Sequence, residues 1–338
     1  GTTIDMSGVK DGKDLAKRIR AIEIGNAPCS WGALEFDDFK GEGIEFSQML
    51  DELCACGYTA TELGDWGYMP TFAPLLKKEL TLRNLTMLGA FLPVKLMDPS
   101  KHEAGVREAL QLGKLLASVS SDRHKPVLVL ADENGTDPVR TKHAGRATPE
   151  MGLSEEAWKH FAAGANAIGK AVLEAHGVRV CFHPHCAGFV ETPAEVYKFC
   201  ELTDPTYVNL TLDGGHVMYG SGNNDPAVLL EYLDKVGSRI KYVHCKDCDP
   251  AVATKARERG YDYFEAIKHG VFCELGKGCV DFKAIVHWQA KSNYQGWSLV
   301  EQDVLPGMGA PKVCAQKNID YLRKVHEEAA VEAEAQVA

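Results

Sequence analysis

Short apolar runs alternate with longer amphipathic stretches along most of the chain. Eight such runs end in polar or charged residues, near 21–31, 58–64, 86–94, 126–132, 178–185, 207–216, 240–247 and 297–303. Within them the apolar residues are continuous instead of alternating with polar ones, which is typical of strands that are covered on both faces. The pattern therefore predicts eight buried parallel strands.

Stretches with helical periodicity separate these strands. The clearest occupy 46–57, 109–119, 154–177, 192–202 and 225–237. Thr192 with Glu195 three residues later has the pattern of a capping box, and Ser154 is a second candidate N-cap. Three stretches end on a glycine suited to the C-cap position, at Gly57, Gly177 and Gly237. Strands thus alternate with helices from one end of the chain to the other.

Eight strand–helix repeats predict a single α/β domain with the (β/α)8 architecture of a TIM barrel. An open doubly wound sheet would need a glycine-rich phosphate turn after its first strand, and NAPCSWG at 26–32 is not one. We assign residues 1–20 to an N-terminal extension, 21–326 to the catalytic barrel, and 327–338 to an Ala/Glu-rich tail.

Composition narrows the function classes. The formal net charge of −10 argues against nucleic acid as the main partner, and no apolar run of about 18 residues predicts a membrane span. The chain has an odd number of cysteines, eleven, and several of them lie within strand-like apolar runs. Reduced thiols are therefore expected in place of a disulfide scaffold. We therefore predict a cytoplasmic protein with a small-molecule substrate.

Metal-binding or hydrogen-bonding groups collect at the predicted carboxyl ends of the strands. They are Glu62, Asp132, His183, His185, Asp213, His216, His244, Lys246, Asp247, Glu301, Gln302 and Asp303. In a barrel these ends face one active site. A single member, such as His183, is compatible with an ordinary core histidine. When four consecutive strands end in such groups, each group carries a desolvation cost unless it is paired or metal-bound.

The pattern thus predicts a divalent metal site centred on Asp213, His244 and Glu301. Mixed imidazole and carboxylate ligands favour Mn or Co, with Zn, Fe or Mg as alternatives. His183 and His185 are two residues apart and would share one face of a strand, and Pro184 leaves open which of them is a ligand.

Several motifs resemble the xylose-isomerase-like TIM barrels, a superfamily of sugar isomerases, epimerases and related lyases. The matching segments run nearly end to end: APCSWG, TELGDWGYMP, GAFLPV, HPHCAGFVET, LDGGH, VHCKD, VFCELGKGCVDF and VEQD. The D-x-x-H, H-x-K-D and strand-eight Glu patterns are shared by the whole superfamily. The HPH motif and the ELGKG…DF loop are narrower and resemble the inosose (2-keto-myo-inositol) dehydratase branch.

This resemblance implies four metal ligands, namely His183, Asp213, His244 and Glu301. Isomerases and epimerases of the superfamily usually carry Glu at the fifth strand, where this chain has HPH. The departure weakens an epimerase assignment, and it leaves His185 and Glu191 as alternative ligands. Relatives in the superfamily are often dimers or tetramers, so a homo-oligomer is compatible with the resemblance.

The implied reaction is dehydration of a cyclic keto-polyol of the 2-keto-myo-inositol type through an enediolate. A keto-sugar isomerase or epimerase, or a lyase acting on 3-keto-glycosides, would use the same metal site. We expect His185 or His216 to transfer the proton and Lys246 to hold an oxygen that gains negative charge, with Glu301 as a fourth catalytic candidate. Candidate substrate-binding residues are Glu62, Trp31, Trp66, Arg146 and Gln302.

Two other classes fit this sequence less well. A related multi-zinc DNA-repair endonuclease would need more ligands and a basic groove, whereas this chain is acidic. A sugar-binding barrel without catalytic activity gives no reason for so many metal-capable groups at strand ends. An enzyme is therefore the favoured class.

Overall fold

The computed structural model describes residues 12–32, 43–294 and 296–336. Within them, its strands are β1 (Glu23–Asn26), β2 (Ala60–Glu62), β3 (Thr86–Val94), β4 (Val127–Asp132), β5 (Val180–Phe182), β6 (Val208–Asp213), β7 (Ile240–Cys245), β8 (Asp247–Cys248), β9 (Phe272–Cys273) and β10 (Trp297–Val300). All except β8 and β9 form a closed barrel in which sequential strands are parallel neighbours and β10 pairs with β1. The predicted eight-stranded (β/α)8 barrel is confirmed.

Helices surround the barrel. They are α1 (Gly12–Arg20), α2 (Phe46–Cys56), α3 (Ala73–Leu82), α4 (His102–Ser118), α5 (Pro138–Lys142), α6 (Glu155–His176), α7 (Pro193–Leu202), α8 (Gly214–Gly220), α9 (Ala227–Val236), α10 (Pro250–Arg259), α11 (Tyr263–Lys268), α12 (Phe282–Lys291) and α13 (Pro311–Ala335). The capping box of Thr192 and Glu195 is present at the start of α7. Gly57 adopts the left-handed conformation after α2, whereas Gly237 ends α9 with right-handed dihedrals and leads into a 3-10 turn.

The apolar residues pack in two layers, as the continuous strand pattern requires. Alternate strand residues such as Leu88, Val129 and Leu299 fill the barrel interior. The intervening residues, such as Leu128 and Leu210, face the larger core between the barrel and its helices. Every residue of β4 and β6 is buried. Polar side chains therefore occur mainly where the strands end.

The strand register brings the carboxyl ends of three neighbouring strands to one height. Asp213 of β6 pairs with His244 of β7, and Cys245 of β7 pairs with Val300 of β10. Glu301 follows directly and donates its backbone N–H to the Cys245 carbonyl over 3.0 Å. The last residues of these strands consequently meet at the carboxyl-terminal mouth of the barrel.

The two ends of the described chain pack together at the opposite, amino-terminal side of the barrel. Ile19 of α1 and Ala330 of α13 are buried, and Arg20 pairs with Glu327. Helix α13 runs without a break through 326/327, where the sequence predicts the barrel to end and the tail to begin. None of the described helices has the length and apolar character needed to cross a bilayer.

Candidate active site

Four side chains from β5, β6, β7 and β10 converge at the mouth of the barrel. One ligand atom each from His183, Asp213 and His244 lies within 4.8 Å of the others, and all three residues are buried. His183 Nε2 is 3.3 Å from Asp213 Oδ2, and His244 Nδ1 is 3.1 Å from Glu301 Oε2. Two imidazoles and one carboxylate thus surround one point, and the Glu301 carboxylate lies beside His244, which is a ligand set suited to a transition-metal dication.

Hydrogen bonds on the far side of each imidazole orient the inward nitrogens. His183 Nδ1 donates to the Pro184 carbonyl over 2.7 Å, which leaves Nε2 to face Asp213. His244 Nε2 donates to Glu62 Oε2 over 2.8 Å, which leaves Nδ1 to face Glu301. Metal-binding histidines usually have such a partner on the second nitrogen.

His244 Nδ1 provides a direct test of whether this group fits a cation. The atom is buried and forms no well-aligned hydrogen bond within the described part of the chain, although Glu301 Oε2 lies 3.1 Å away. A buried polar atom without a partner is costly unless something else satisfies it. A cation bound between the imidazole and the carboxylate would do so, and the donor set therefore fits a divalent metal.

The same geometry distinguishes His183 from its two alternatives at the fifth strand. His185 is outside the three-residue group, and its ring stacks on that of His183 with centroids 4.0 Å apart. The Glu191 carboxylate accepts the backbone N–H groups of Ala187 and Gly145, so it holds loops in place. Of the three, His183 is the residue whose free ring nitrogen faces Asp213.

Lys246 sets the charge state of the two carboxylates. Its Nζ is 2.9 Å from Glu301 Oε1 and 4.0 Å from Asp213 Oδ2. Burial raises the pKa of both carboxyls, but the Lys246 ammonium and the neighbouring imidazoles together outweigh it, so the pKa of Asp213 is lowered and that of Glu301 falls well below its usual range. Burial lowers the pKa of Lys246, and the carboxylates of Glu301, Asp303 and Asp213 reverse this and raise it well above the usual value. The surrounding carboxylates therefore favour the ammonium form of Lys246.

The other two histidines of the mouth are neutral. Burial lowers the pKa of His185 and of His216 well below the usual imidazole value, and the neighbouring cationic groups act in the same direction. His216 Nδ1 accepts the backbone N–H of Cys186 over 3.0 Å, so the ring proton resides on Nε2. The backbone N–H of His216 donates to Asp213 Oδ1 as the N-cap contact of α8, which explains the D-x-x-H spacing.

Seven of the sequence-predicted site residues line one cavity at the barrel mouth: Glu62, His183, His185, His216, His244, Lys246 and Glu301. Asp303, which the sequence placed at a strand end without a role, also lines it. Cys29, Asp65, Phe91, Asn134 and Tyr263 are further lining residues that sequence reasoning missed. Asn134 lies just beyond the carboxyl end of β4, so its position in the sequence could have marked it as a residue of the barrel mouth. Tyr263 belongs to α11 in a long connection, where no sequence pattern marks it.

Four predicted substrate-binding residues do not line this cavity. Trp31 is buried in the core and donates from Nε1 to Glu52 over 2.7 Å, whereas Trp66 is 47% exposed. Aromatic residues after a strand thus point to the core or to solvent as readily as to the mouth. This corrects the expectation that the two indoles enclose a ring-shaped substrate.

Arg146 and Gln302 are engaged elsewhere as well. Arg146 Nη1 donates to the Tyr261 carbonyl over 2.8 Å, which ties the loop after α5 to the start of α11. Gln302 Oε1 accepts from Asn318 of α13 over 2.8 Å. Gln302 follows Glu301 directly, and successive residues of an extended segment point to opposite sides, so only one of the two can face the cavity.

Comparison with known proteins identifies the family. The family model described as xylose isomerase-like TIM barrel matches residues 41–325. This chain belongs to the xylose isomerase-like TIM-barrel family. It is 30% identical over 309 residues to the inosose dehydratase of Clostridium beijerinckii, covering 90% of this chain and 97% of that protein. The inosose dehydratase of Geobacillus kaustophilus is 29% identical over 315 residues, covering 92% and 97%. Within the family, the chain is a hydro-lyase of the inosose dehydratase branch.

Solved structures of low sequence identity share the fold. The 3-keto-D-glucoside 4-epimerase of E. coli superposes with a TM-score of 0.62 at 16% identity, covering 90% of this chain and 99% of that one. The probable 3-DHS dehydratase of Bacillus anthracis gives 0.60 at 13% identity, covering 87% and 98%. At such identities the likeness establishes the xylose isomerase-like barrel alone.

The branch-specific ELGKG…DF motif forms a loop that Asp247 holds against the mouth of this family member. The Asp247 carboxylate accepts four backbone N–H groups, from Cys248, Gly276, Gly278 and Val280, at 2.9 to 3.1 Å. Phe272, at the start of this segment, packs 4.7 Å from the His216 ring. The Lys246 ammonium also lies over the Phe272 ring, at 5.0 Å. The H-x-K-D motif therefore combines a metal-facing histidine, a fixed cation and a loop anchor.

Proposed function

We propose that the protein is a metal-dependent hydro-lyase that removes water from a cyclic keto-polyol of the inosose type. The observation that carries the proposal is the buried group of His183, Asp213 and His244, with Glu301 Oε2 3.1 Å from His244 Nδ1, beside two neutral histidines. Relatives named inosose dehydratase match 90% of the chain, which supports this choice of substrate.

His183, Asp213, His244 and Glu301 would hold the cation, and Mn or Co would suit their mixed nitrogen and oxygen donors. When bound, a divalent cation supplies Lewis-acid polarisation of a ketone oxygen, which acidifies the neighbouring carbon–hydrogen bond. Glu62 supports this arrangement from outside, because it accepts hydrogen bonds from both His244 and Tyr242. We assign Glu62 a positioning role in place of the direct substrate contact expected from the sequence.

His185 is the better placed of the two neutral histidines to take the proton. The single lone pair on the His216 ring is occupied by the Cys186 N–H, so His216 presents an N–H donor to the cavity. His185 Nδ1, in contrast, has no hydrogen bond to any described residue. In the proposed reaction His185 accepts the proton from the carbon next to the ketone and passes it to the hydroxyl on the following carbon, which departs as water.

Lys246 stabilises the oxygen that gains negative charge during proton removal. Its ammonium is held between the Glu301 carboxylate and the Phe272 ring, so it does not have to reorganise during the reaction. The unusually high pKa of Lys246 makes it a charge-stabilising group and a poor proton donor.

Mass analysis of the products tests the proposal. The protein is stripped with a chelator, restored with Mn or Co, and given a panel of keto-inositols and 3-keto sugars. We expect metal-dependent loss of one water from a keto-inositol. Product of unchanged mass would indicate an isomerase or epimerase, and release of an aglycone would indicate a 3-keto-glycoside lyase. Water loss that is unaffected by chelation would overturn the assigned role of the metal.

The proposal extends to cellular context. A role in inositol breakdown follows from the proposed substrate, and a cytoplasmic location is supported by the cysteines, all eleven of which are free thiols. The expected partner is the small keto-polyol itself, with a homo-oligomer as the assembly suggested by the superfamily.

A further inference from the structure

Two cysteines lie against each other in the loop that Asp247 anchors. Cys248 ends β8, and Cys279 lies beyond β9 in the same long connection. The Cys279 backbone N–H donates to the Cys248 carbonyl over 2.8 Å, and the Cys248 thiol donates to the Cys279 sulfur. The two residues are thus in contact through both backbone and side chain, and both are free thiols.

The backbone on either side of this Cys248–Cys279 pair is held by one carboxylate. Asp247 directly precedes Cys248 in the sequence. Its carboxylate accepts the N–H groups of Gly278 and Val280, the two chain neighbours of Cys279, over 3.0 and 3.1 Å. Residues that pair through backbone hydrogen bonds have Cα atoms about 5.5 Å apart, and a disulfide requires roughly 4.4–6.8 Å. A disulfide between the two sulfurs therefore needs no large movement of either segment.

The two thiols differ in reactivity. Cys279 is partly exposed, whereas Cys248 is buried. The hydrogen bond from Cys248 lowers the pKa of the Cys279 thiol, and the same contact together with burial raises the pKa of Cys248 well above the usual value. Because the thiolate is the nucleophile in thiol oxidation, an oxidant reacts first at Cys279. Cys248 then lies in contact with the oxidised sulfur, which is the place of a resolving thiol.

The two other thiols near the pair are poor competitors. Cys186 is close to Cys248 but fully buried, and its Sγ donates to the His216 carbonyl over 3.6 Å. Burial raises the pKa of Cys273 to about 12. Among the described residues, neither thiol of the pair belongs to a group of three metal-capable side chains, whereas a structural zinc site uses four ligands. The arrangement therefore favours dithiol chemistry over a zinc site.

We propose that Cys248 and Cys279 form a redox-active dithiol, which a peroxide converts into a disulfide within the loop at the barrel mouth. The Cys279 thiolate attacks one oxygen of hydrogen peroxide, so that an S–O bond forms, the O–O bond breaks and hydroxide leaves. The proton that Cys279 released to solvent converts this hydroxide into water. The Cys248 sulfur then attacks the Cys279 sulfur, the S–S bond forms, the S–O bond breaks, and water leaves with the Cys248 proton. The two thiols lose two electrons, and the peroxide is reduced to two waters.

The proposed disulfide goes beyond the hydro-lyase reaction and does not depend on it. It would enclose residues 249–278, a segment that carries Phe272 against the His216 ring and the Lys246 ammonium. Oxidation would therefore act on the wall of the active-site mouth. Its formation is measured by mass and needs no substrate, so a failure of the proposed function leaves this test unaffected.

Peroxide treatment of the reduced wild-type protein tests the proposal. After treatment the remaining thiols are blocked with iodoacetamide, and the peptides are mapped by mass spectrometry. We expect the loss of two hydrogen atoms, one linked pair of peptides containing Cys248 and Cys279, and full reversal by dithiothreitol. Without oxidant, limiting iodoacetamide at neutral pH should label Cys279 roughly 10-fold faster than Cys273.

Two variants separate the roles of the thiols. Cys248→Ser removes the resolving thiol, so peroxide should leave a sulfenic acid on Cys279 that dimedone traps. Cys273→Ser is the matched control, because it removes a partly exposed thiol of the same segment and should form the wild-type disulfide. Circular dichroism checks that both variants are folded, and the wild-type map stands even where a variant is not.

Several results would overturn the proposal. They are an unmodified Cys279 in excess peroxide, a sulfinic acid on Cys279 of the wild type without any link to Cys248, and a link from Cys279 to a different cysteine. Equal labelling of Cys279 and Cys273 would contradict the assignment of Cys279 as the attacking thiol. Loss of the disulfide in the folded Cys273→Ser variant would show that Cys248 does not resolve Cys279 by itself.

Discussion

Each metal-facing imidazole in this site is oriented by a hydrogen bond from its other nitrogen. His183 donates to a backbone carbonyl and His244 donates to the Glu62 carboxylate. The two rings therefore present a specific nitrogen to the centre, and their partners determine which one. Substitutions at the ligands and at Glu62 should consequently have different effects on metal binding.

Asp213→Asn and His244→Ala should each abolish metal retention, because each removes a donor from a set of four. His216→Ala should keep the metal and lose turnover, since His216 has its Nδ1 bonded to the backbone of Cys186 and is outside the ligand group. Metal content after gel filtration, together with the rate of water loss, checks this. A metal-bound and active Asp213→Asn variant would show that the site lies elsewhere.

Glu62→Gln should weaken divalent metal binding by roughly 10–100-fold without unfolding the protein. The amide is close to the carboxylate in shape, and its oxygen in the place of Oε2 can still accept from both His244 and Tyr242, but it carries no charge to stabilise His244. Competition with a fluorescent chelator measures the affinity. Tyr242→Phe keeps the carboxylate and serves as the milder comparison; if Glu62→Gln binds metal as tightly as the wild type, the orienting role is refuted.

The four metal ligands predicted from the sequence lie at strand ends and remain a prediction. Asp213 ends β6, His244 is the next-to-last residue of β7, and His183 and Glu301 directly follow β5 and β10. Strand ends in a barrel have a known direction. Trp31 and Gln302 are also close to strand ends, but their direction depends on the local path of the chain, which carries one to Glu52 and the other to Asn318.

At the scale of elements, the segment after β7 is the least regular part of the described barrel and carries much of its mouth. It contributes the antiparallel pair of β8 and β9, with α10 and α11 between the two strands, before returning to α12. The sequence marked only the ELGKG…DF loop within this segment. The four hydrogen bonds to Asp247 account for its order, because they satisfy backbone N–H groups that no strand or helix satisfies.

Gly278→Ala should disrupt this loop. A methyl group at 278 would overlap the Asp247 carboxylate and the Cys248 carbonyl, and neither can withdraw without breaking the anchor. We expect destabilisation of about 1–3 kcal/mol and a larger relative loss of turnover, because Phe272 would no longer be held against His216 and Lys246. Urea unfolding and steady-state kinetics measure the two effects.

Gly43→Ala is the matched control, since no atom of the described residues would lie within 4 Å of a methyl group there. It should leave both stability and turnover near the wild-type values. A Gly278→Ala variant that behaved like Gly43→Ala would mean that the loop tolerates displacement and that its close approach to Asp247 does not matter for activity.

At the scale of the whole molecule, the amino-terminal side of the barrel contributes to stability through a buried histidine of α13. His326 is 8% exposed, and its Nε2 has no hydrogen bond to any described residue. Burial lowers the pKa of His326 from 6.5 to about 4. The folded protein therefore resists protonation of this ring, whereas the unfolded chain accepts a proton near pH 6.5.

Stability should consequently fall as the pH drops from about 6.5 to about 4, because the unfolded chain binds one more proton than the folded protein in that range. The His326→Leu variant lacks the titrating ring and therefore lacks this pH dependence. As the pH drops from about 6.5 to about 4, its free energy of unfolding should rise relative to that of the wild type by roughly 3 kcal/mol. Urea unfolding at several pH values gives the difference curve. A difference that does not change with pH would show that His326 is accessible to protons in the folded state.

The sequence by itself determined the architecture and marked the candidate site, since both follow from local patterns. Continuous apolar runs separated by helical periodicity specify buried parallel strands, and the polar residues that end those runs are carried to one face by the handedness and order of the barrel. The motifs that mark His183, Asp213, His244 and Glu301 lie on those strand ends. Family membership followed from the same segments.

The tertiary structure alone decided which polar groups face each other and in which state. The contact of His183 with Asp213, the proton position on His216 and the hydrogen bond of His244 to Glu62 depend on distances between residues up to 182 positions apart. Tyr263 reaches the cavity only because α11 folds over the loop that carries Asn134. Burial and charge act over space and not along the chain, so the hydrophobic pattern could place these side chains at the mouth but could not determine their partners.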